Sequence, residues 1–319
     1  DPEQVRIHTT YLGGGFGRRS NTDFIEQAVL LAKRSKRPVQ VIWSREETTQ
    51  HGYFRPAAIA RFQIGINAKG DANHWAAQIA VPNILSHQIP AVPSVVWKLA
   101  GDPIAMEGFK KPPYAVDDRD VDGLSVKLDT PLGFWRAVGH SHNGFFVEGV
   151  ADEVARISGQ DPAAYRRKCY TEHPRHLKVL NKVTAMANWG TKRAQGRHLG
   201  LAVHESFGSV CGQVVELSVA SDKTVTLHKI WCAIDCGVVV NPDSVEAQMQ
   251  GGIVYGLSAA TRAQIDFKDG AVVQGNFHDY PTMRLNEIPP MEVAMIESDD
   301  DPGGVGEVGL PPIAAAVAN

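Results

Sequence analysis

The sequence predicts an α+β protein built as two domains, and three observations lead there. At 319 residues the chain is too long for one small domain. Hairpin signals occur in both halves of it, and helical periods lie between them. Hydrophobic residues make up 43% and charged residues 21%, enough apolar surface to offset the entropy of ordering and to exclude disorder. The same composition narrows function. No apolar run approaches the ~18 residues of a membrane span. A net charge of −3 lacks the basic excess of a protein that grips a nucleic-acid backbone. Four cysteines with no CxxC pair exclude a disulfide scaffold and a zinc ribbon.

The elements follow in order. Val5–Leu12 alternates as a strand, Gly13–Arg19 makes a loop, and a helix starts near Asn21 with Ile25, Ala28, Val29 and Ala32 on one stripe. Pro38 ends that helix, and 39–43 reads as the next strand. Residues 60–66 and 75–81 form a hairpin turned at Asn67–Asp71, and the proline-rich stretch 89–113 is irregular. From Asn143 the period is helical, with Phe146, Val150, Val154 and Ile157 on one face and Gly159 closing it; Asp161-Pro162 then caps another helix. Residues 171–197, charged and without β pattern, read as a connector between a first domain, 1–170, and a second, 198–319. In the second, 214–219 and 225–234 form a hairpin, a helix runs from Asp243 past Gly256, and Asp269-Gly270 turns a further hairpin. The chain opens on Asp1-Pro2-Glu3-Gln4 and closes on a helix begun at Ile313, and it reads as an internal piece of something larger.

Three segments could carry chemistry. In Gly13-Gly14-Gly15-Phe16-Gly17, successive glycines between strand and helix let backbone N–H groups converge on an anion. It matches neither G-x-G-x-x-G, since Arg18 takes the sixth place, nor a P-loop, and a plain tight turn with Arg18 and Arg19 in solvent is the competing reading. Around Gln248, glycines 251, 252 and 256 each cost roughly 1 kcal/mol in a helix, a cost that suits close approach of a ligand or of another element. Gln248, Gly252 and Tyr255 share a face there. Glu307 stands alone among glycine, valine and proline in 302–312, where desolvation would raise its pKa toward general-base range; a solvated loop tip is the alternative. Other groups are poorer candidates. His140 and His142 could share a strand face, but no third metal ligand is suggested. His173 and His176 read as solvated, Cys232 and Cys236 as small core residues, and Asp299–Asp301 as an acidic loop.

Taken in order, these segments resemble the molybdenum hydroxylases, the xanthine oxidase and aldehyde oxidase family, and within it the isoquinoline-type and bacterial aldehyde dehydrogenase branch. The order is Gly13–Gly17, Arg37-Pro38-Val39, Gly133-Phe134-Trp135-Arg136, Asn241-Pro242 with Gln248-Met249-Gln250-Gly251, and Gly304-Val305-Gly306-Glu307. The resemblance implies two molybdopterin-binding-type domains with mixed sheets and packed helices. It implies a molybdopterin cofactor, as the cytosine dinucleotide, touched by Gly15, Phe16 and Gly17 and held with Arg136 and Gln248. Glu307 would be the general base, with hydride passing to the metal centre. The substrate class is an N-heteroaromatic or an aldehyde, with water as oxygen source. Iron–sulfur clusters would sit in a partner, a small [2Fe-2S] subunit, because this chain lacks their cysteine spacings. Ser20 stands where purine-oxidising members carry glutamate, which argues against a purine. The family's Met-Gly-Gln-Gly segment and pterin-cradling Ser/Thr loop are not found, which implies an N-terminal remainder of the large chain as a further partner. No nucleic acid and no membrane span are implied, and the compartment, cytoplasmic or periplasmic, stays open. Two other readings are carried with it. One is a nucleotide-dependent dehydrogenase using the glycine loop; the other is a cofactor-free structural fragment with a large exposed apolar patch.

Overall fold

Each half of the chain folds consecutive antiparallel strands, two in the first half and three in the second, and then extends them with a parallel strand from farther along the sequence. The structure is a computed structural model and describes residues 3, 5–89, 92, 93, 96 and 102–319. In the first sheet β1 (Ile59–Ile66) pairs antiparallel with β2 (Ala72–Pro82), and β3 (Asp118–Val126) lies parallel to β2 on its other side. Alternation decides which face is inward: Trp75, Ala77, Ile79 and Val81 of β2 are buried, and Phe62 and Ile64 of β1 pack against them. The predicted turn forms, with Asn67 Oδ1 accepting from the N–H groups of Lys69 and Asp71 at 2.9 and 3.0 Å. Strand β3 was not foreseen. Its sequence, DRDVDGLSV, is polar on both faces because it is an exposed edge.

The second sheet runs β4 (Arg197–Ser206), β5 (Ser209–Val219), β6 (Val225–Asp235) and β9 (Met291–Met295), the last parallel to β6. A small hairpin, β7 (Phe267–Lys268) with β8 (Ala271–Val272), turns at Asp269-Gly270 as predicted. The helices are α1 (Asp23–Ser35), α2 (Arg45–Gln50), α3 (Ile84–Gln88), α4 (His140–Ile157), α5 (Pro162–Cys169), α6 (Pro174–Met186), α7 (Pro242–Thr261) and α8 (Pro311–Ala318). Asp161 and Asn241 cap α5 and α7, each through its side-chain oxygen and each followed by proline at the first helical position. The buried face of α4 is Val147, Ala151, Val154 and Ala155, rotated from the predicted stripe so that Ile157 stays exposed.

The stretch 171–197 is more than a connector. Its helix α6 buries His176, Val179, Leu180 and Val183, and the core continues through it from Trp75 and Tyr114 to Leu201 and Val214. Its charges, Arg175, Lys178 and Lys182, hid that stripe in the sequence. A buried ion pair braces the first half where it meets the second: Arg166, fully buried, donates to Glu148 Oε2 at 3.1 Å and to Asp152 Oδ1 at 2.5 Å. Glu148 also accepts from Tyr114 Oη at 2.6 Å and from the Val203 N–H at 2.8 Å, which brings β4 to α4. Burial still outweighs these partners and holds the Glu148 carboxyl above its ordinary pKa.

The strand–loop–helix–strand unit predicted at the start forms only its helix. Residues 5–12 and 39–43 are extended without ladder partners among the described residues, and Ile7, Tyr11 and Ile42 are exposed. A strand needs a neighbour to satisfy its backbone, and alternation alone does not provide one. Helix α1 begins at Asp23 rather than Asn21. Residues 1, 2 and 4 of the opening segment, and 90, 91, 94, 95 and 97–101 of the irregular stretch, lie outside the described residues.

Candidate active site

Four of the five motifs, all but Arg37-Pro38-Val39, meet at one cavity of about 280 Å³, lined by Gly15, Phe16, Gly17, Phe134, Trp135, Arg136, Gln248, Tyr255, Gly306 and Glu307. Gly15, Phe16, Gly17, Arg136, Gln248 and Glu307, the residues expected to touch the cofactor or act as base, all lie on its wall. Each arrives by a local cause. Gly17 adopts left-handed backbone, φ 73°, and a Cβ there would stand 2.2 Å from the Phe134 carbonyl oxygen, so only glycine lets the two segments touch. Arg18 is not solvated. Its guanidinium makes two bonds to the Asp23 carboxylate, at 2.7 and 2.8 Å, and lies over the rings of Phe24, Trp43 and Tyr53. That clamp fixes the glycine loop to α1.

Segment 133–136 is held from behind. The Gly133 N–H donates to Phe54 O at 3.0 Å, and Gln88 Nε2 donates to Leu132 O at 2.7 Å. Arg136 then reaches across the cavity: Nε donates to Gly306 O at 2.9 Å, and Nη2 donates to Gln248 Oε1 at 2.8 Å and again to Gly306 O. Ala137 and Val138 follow with φ of 71° and 44°, left-handed values that non-glycine residues seldom hold. Backbone strain of this kind clusters at functional sites.

Helix α7 presents Gln248 at the rim, and its glycines divide their work. A Cβ on Gly252 would meet Gly309 and Leu310 backbone at 3.1–3.2 Å, and one on Gly256 would meet Ile313 Cγ2 at 2.4 Å. Those two let the 309–313 segment pack closely, which holds the preceding Glu307 in place. Gly251 has only Arg136 Nη1 nearby, at 3.6 Å. Tyr255 stacks on Trp135 with centroids 5.0 Å apart.

Burial pushes the Glu307 carboxyl above its ordinary pKa, while the Ala137 N–H and the Arg136 guanidinium partly counter it. Burial also lowers Arg136, with Glu307 opposing. The other predicted groups lie elsewhere. His140 and His142 open helix α4 rather than a strand, and the half-buried His140 places Nδ1 2.9 Å from Nε2 of the buried His204. His176 is buried at 3% exposure, against the expectation of a solvated side chain. Cys232 and Cys236 are buried, and Asp299–Asp301 are exposed. Glu107, on the turn just before α4's neighbours Gly108 and Phe109, was missed. It comes close through tertiary packing, and only the Asp102-Pro103 turn signal near it was visible in the sequence. No group of three metal-ligating side chains occurs among the described residues.

The two halves of the chain thus meet at a cavity walled by bare backbone, a guanidinium, an amide and a carboxylate. The chain belongs to the molybdopterin cofactor-binding domain family: one profile of that description matches residues 1–170 and a second matches 164–289. It is similar to the isoquinoline 1-oxidoreductase subunit beta of Brevundimonas diminuta, at 29% identity over all of this chain and 41% of that protein. It is also similar to the membrane-bound aldehyde dehydrogenase [pyrroloquinoline-quinone] of Gluconacetobacter polyoxogenes, at 27% identity over all of this chain and 44% of that one. The chain thus spans less than half the length of these relatives. In fold it matches quinoline 2-oxidoreductase from Pseudomonas putida 86 with TM-score 0.77 and 14% identity, covering 96% of this chain and 64% of that one. Aldehyde oxidoreductase from Desulfovibrio desulfuricans ATCC 27774 matches with TM-score 0.78 and 12% identity, covering 96% and 51%. The resemblance to the molybdenum hydroxylases read from the motifs therefore holds, as does the α+β class with mixed sheets. No helix among the described residues is long and apolar enough to cross a membrane.

Proposed function

We propose that this chain forms one wall of the active site of a molybdenum-dependent oxidoreductase that hydroxylates an N-heteroaromatic or oxidises an aldehyde. The observation that carries the reading is the convergence of residues 15–17, 134–136, 248 and 306–307 on one cavity. The cavity fits the oxygen-rich end of a molybdopterin: Gly306 leaves bare backbone with open space beside it, Gly15 meets only the Arg19 side chain at 4.0 Å, and donors and one carboxylate stand around them. When bound, the cofactor, in the cytosine dinucleotide form, supplies the two-electron oxidation and activates water as the oxygen source.

The chain's own residues supply the rest. Phe16 and Gly17 offer backbone N–H groups to the cofactor's oxygens. Arg136 neutralises charge, and because it is bonded to Gln248 and Gly306 it does so from a fixed position. Gln248 spends its Oε1 on Arg136, which leaves its Nε2 donors for the cofactor. Glu307 takes the proton of the attacking oxygen on its carboxylate, and partial burial lets it bind that proton more tightly than a solvated glutamate. Trp135 and Tyr255 form the apolar wall against which a flat substrate would lie. Residues 1–170 and 198–319 would be the two cofactor-flanking domains. An N-terminal remainder of the large chain and a small [2Fe-2S] subunit would complete the enzyme, the latter carrying electrons away.

A nucleotide-dependent dehydrogenase is disfavoured, because α1 opens with Asp23 and Glu26 where a phosphate would have to sit. The test is Glu307→Gln in the intact complex. Turnover should fall by about 10²–10⁴-fold, the usual worth of a general base, with molybdenum content near normal. Substantial remaining activity would remove Glu307 from the role, and no molybdenum in an intact complex would overturn the whole reading.

A further inference from the structure

A second cavity, of about 490 Å³, shares Trp135 with the cavity of Glu307 and is otherwise lined by different residues. Phe145 and Phe146 of α4, Ala259 and Ala260 of α7, and Ala314 and Val317 of α8 give it apolar walls. Alanine at 259, 260 and 314 leaves the room that larger side chains on two packed helices would fill. An apolar cavity of this size with a few polar groups is the usual form of a small-molecule site.

Three polar side chains interrupt the apolar lining. Ser141 is satisfied, its hydroxyl donating to the Val138 carbonyl at 2.6 Å. Arg55 is not. Its guanidinium carbon lies 4.7 Å from the centroid of the Trp135 ring, and no hydrogen bond or ion pair to it occurs among the described residues. The groups that favour its charge are two phenols, Tyr255 and Tyr280, rather than acids. Arg55 is exposed, yet the protein packed around its guanidinium lowers its pKa, as befits a cation at the rim of a concave site. A carboxylate arriving there would find five unspent donors and an uncompensated charge.

His142 is the third group. It is 6% exposed, and burial, helped by the Arg55 charge, holds it neutral with a pKa of about 4. One ring nitrogen meets the Ala105 carbonyl, whereas Nε2 is buried with no hydrogen-bond partner. The ring proton therefore sits on Nδ1, and Nε2 presents a lone pair to the cavity that the ring lines. A buried acceptor left without a donor is costly, and a bound O–H or N–H removes that cost.

We propose that this cavity is a binding site for an aromatic carboxylic acid that also carries a hydroxyl or ring N–H. The carboxylate lies on Arg55, the ring lies between the phenylalanines of α4 and the alanines of α7 and α8, and the O–H or N–H donates to His142 Nε2. Because only Trp135 is common to the two cavities, the site stands whether or not Glu307 is the base.

The test is calorimetric titration of the intact complex at neutral pH with 4-hydroxybenzoate, which has both groups, and with benzoate and phenol, which have one each. Wild type should bind 4-hydroxybenzoate about tenfold or more tightly than either of the others, the usual worth of a charge-assisted or buried hydrogen bond. Arg55→Met, at an exposed position, should lose the preference for the acid over phenol with its melting temperature unchanged. His142→Leu should bring 4-hydroxybenzoate down to the level of benzoate, and His142→Gln, which keeps an acceptor, should restore part of the difference. Ala260→Trp, which fills the cavity, should abolish binding of all three. Where a His142 variant does not fold, Arg55→Met and Ala260→Trp decide. Unchanged binding of the acid in either of those two overturns the site, because the acid then sits elsewhere, as on Arg136. Failure of the wild-type complex to bind 4-hydroxybenzoate also overturns it, and would mean that another segment of the enzyme fills the cavity.

Discussion

Burial and Arg136 pull the proton affinity of Glu307 in opposite directions, and burial is the larger. Two consequences of opposite sign follow. If Glu307 is the base proposed above, turnover needs its carboxylate form, so kcat/KM should rise with pH along an acid limb whose midpoint lies above the ordinary glutamate value of 4.5. For stability the folded protein binds this proton more tightly than the unfolded chain does. The contribution of Glu307 to folding is therefore full below the unfolded pKa and is lost as pH rises through the folded one. Replacing it by glutamine removes that loss. E307Q should unfold at a higher temperature than wild type at neutral pH while having lost its turnover, and the gap in Tm should shrink as pH falls toward 4. Paired thermal melts and pH–rate profiles check both signs. Equal melting of the two proteins at neutral pH would show that the carboxylate is well solvated, which a base in this cavity cannot be.

At the scale of elements, the glycines of α7 separate two tasks that the sequence showed as one cluster. Gly256 faces Ile313 at the start of α8, whereas Gly251 has only Arg136 Nη1 close by. Gly256→Val should cost roughly 1–3 kcal/mol through overpacking. Gly251→Ala should leave stability unchanged or raise it by up to about 1 kcal/mol from helix propensity. Urea unfolding of the two variants separates them, and equal effects would contradict the packing. The contrast also marks what was legible. Asp161-Pro162 and the hairpin turns act locally, so capping and turn chemistry placed them correctly. The candidate site was visible because its marks, bare glycine and an isolated carboxylate, are composition anomalies within a few residues. What depended on distant partners was not visible. Residues 5–12 alternate as a strand but pair with nothing described, α6 hid its apolar stripe among charges, and Glu107 gains meaning only from a turn docked against Gly139.

For the whole molecule, the cavity is where the two halves are tied by long-range contacts at the surface of the core. Arg136 belongs to the first half, yet its bonds run to Gln248 and to Gly306, 112 and 170 positions away. A cofactor seated among residues 15–17, 136, 248 and 307 touches both halves at once, so its binding free energy acts on their association as well as on each alone. At a thousandfold excess over Kd such binding adds about 4 kcal/mol to the folded state. Hydrogen exchange on the complex, made with and without a supply of molybdopterin, should therefore show slower exchange in 13–19, 133–139 and 304–309 together, with a higher Tm. Arg136→Ala should weaken the link: cofactor would still slow exchange at the glycine loop, but less of that protection would reach 304–309. Protection confined to one half in the wild-type complex would mean that the cavity is a meeting of surfaces with no shared ligand, and the cofactor would then have to lie elsewhere in the enzyme.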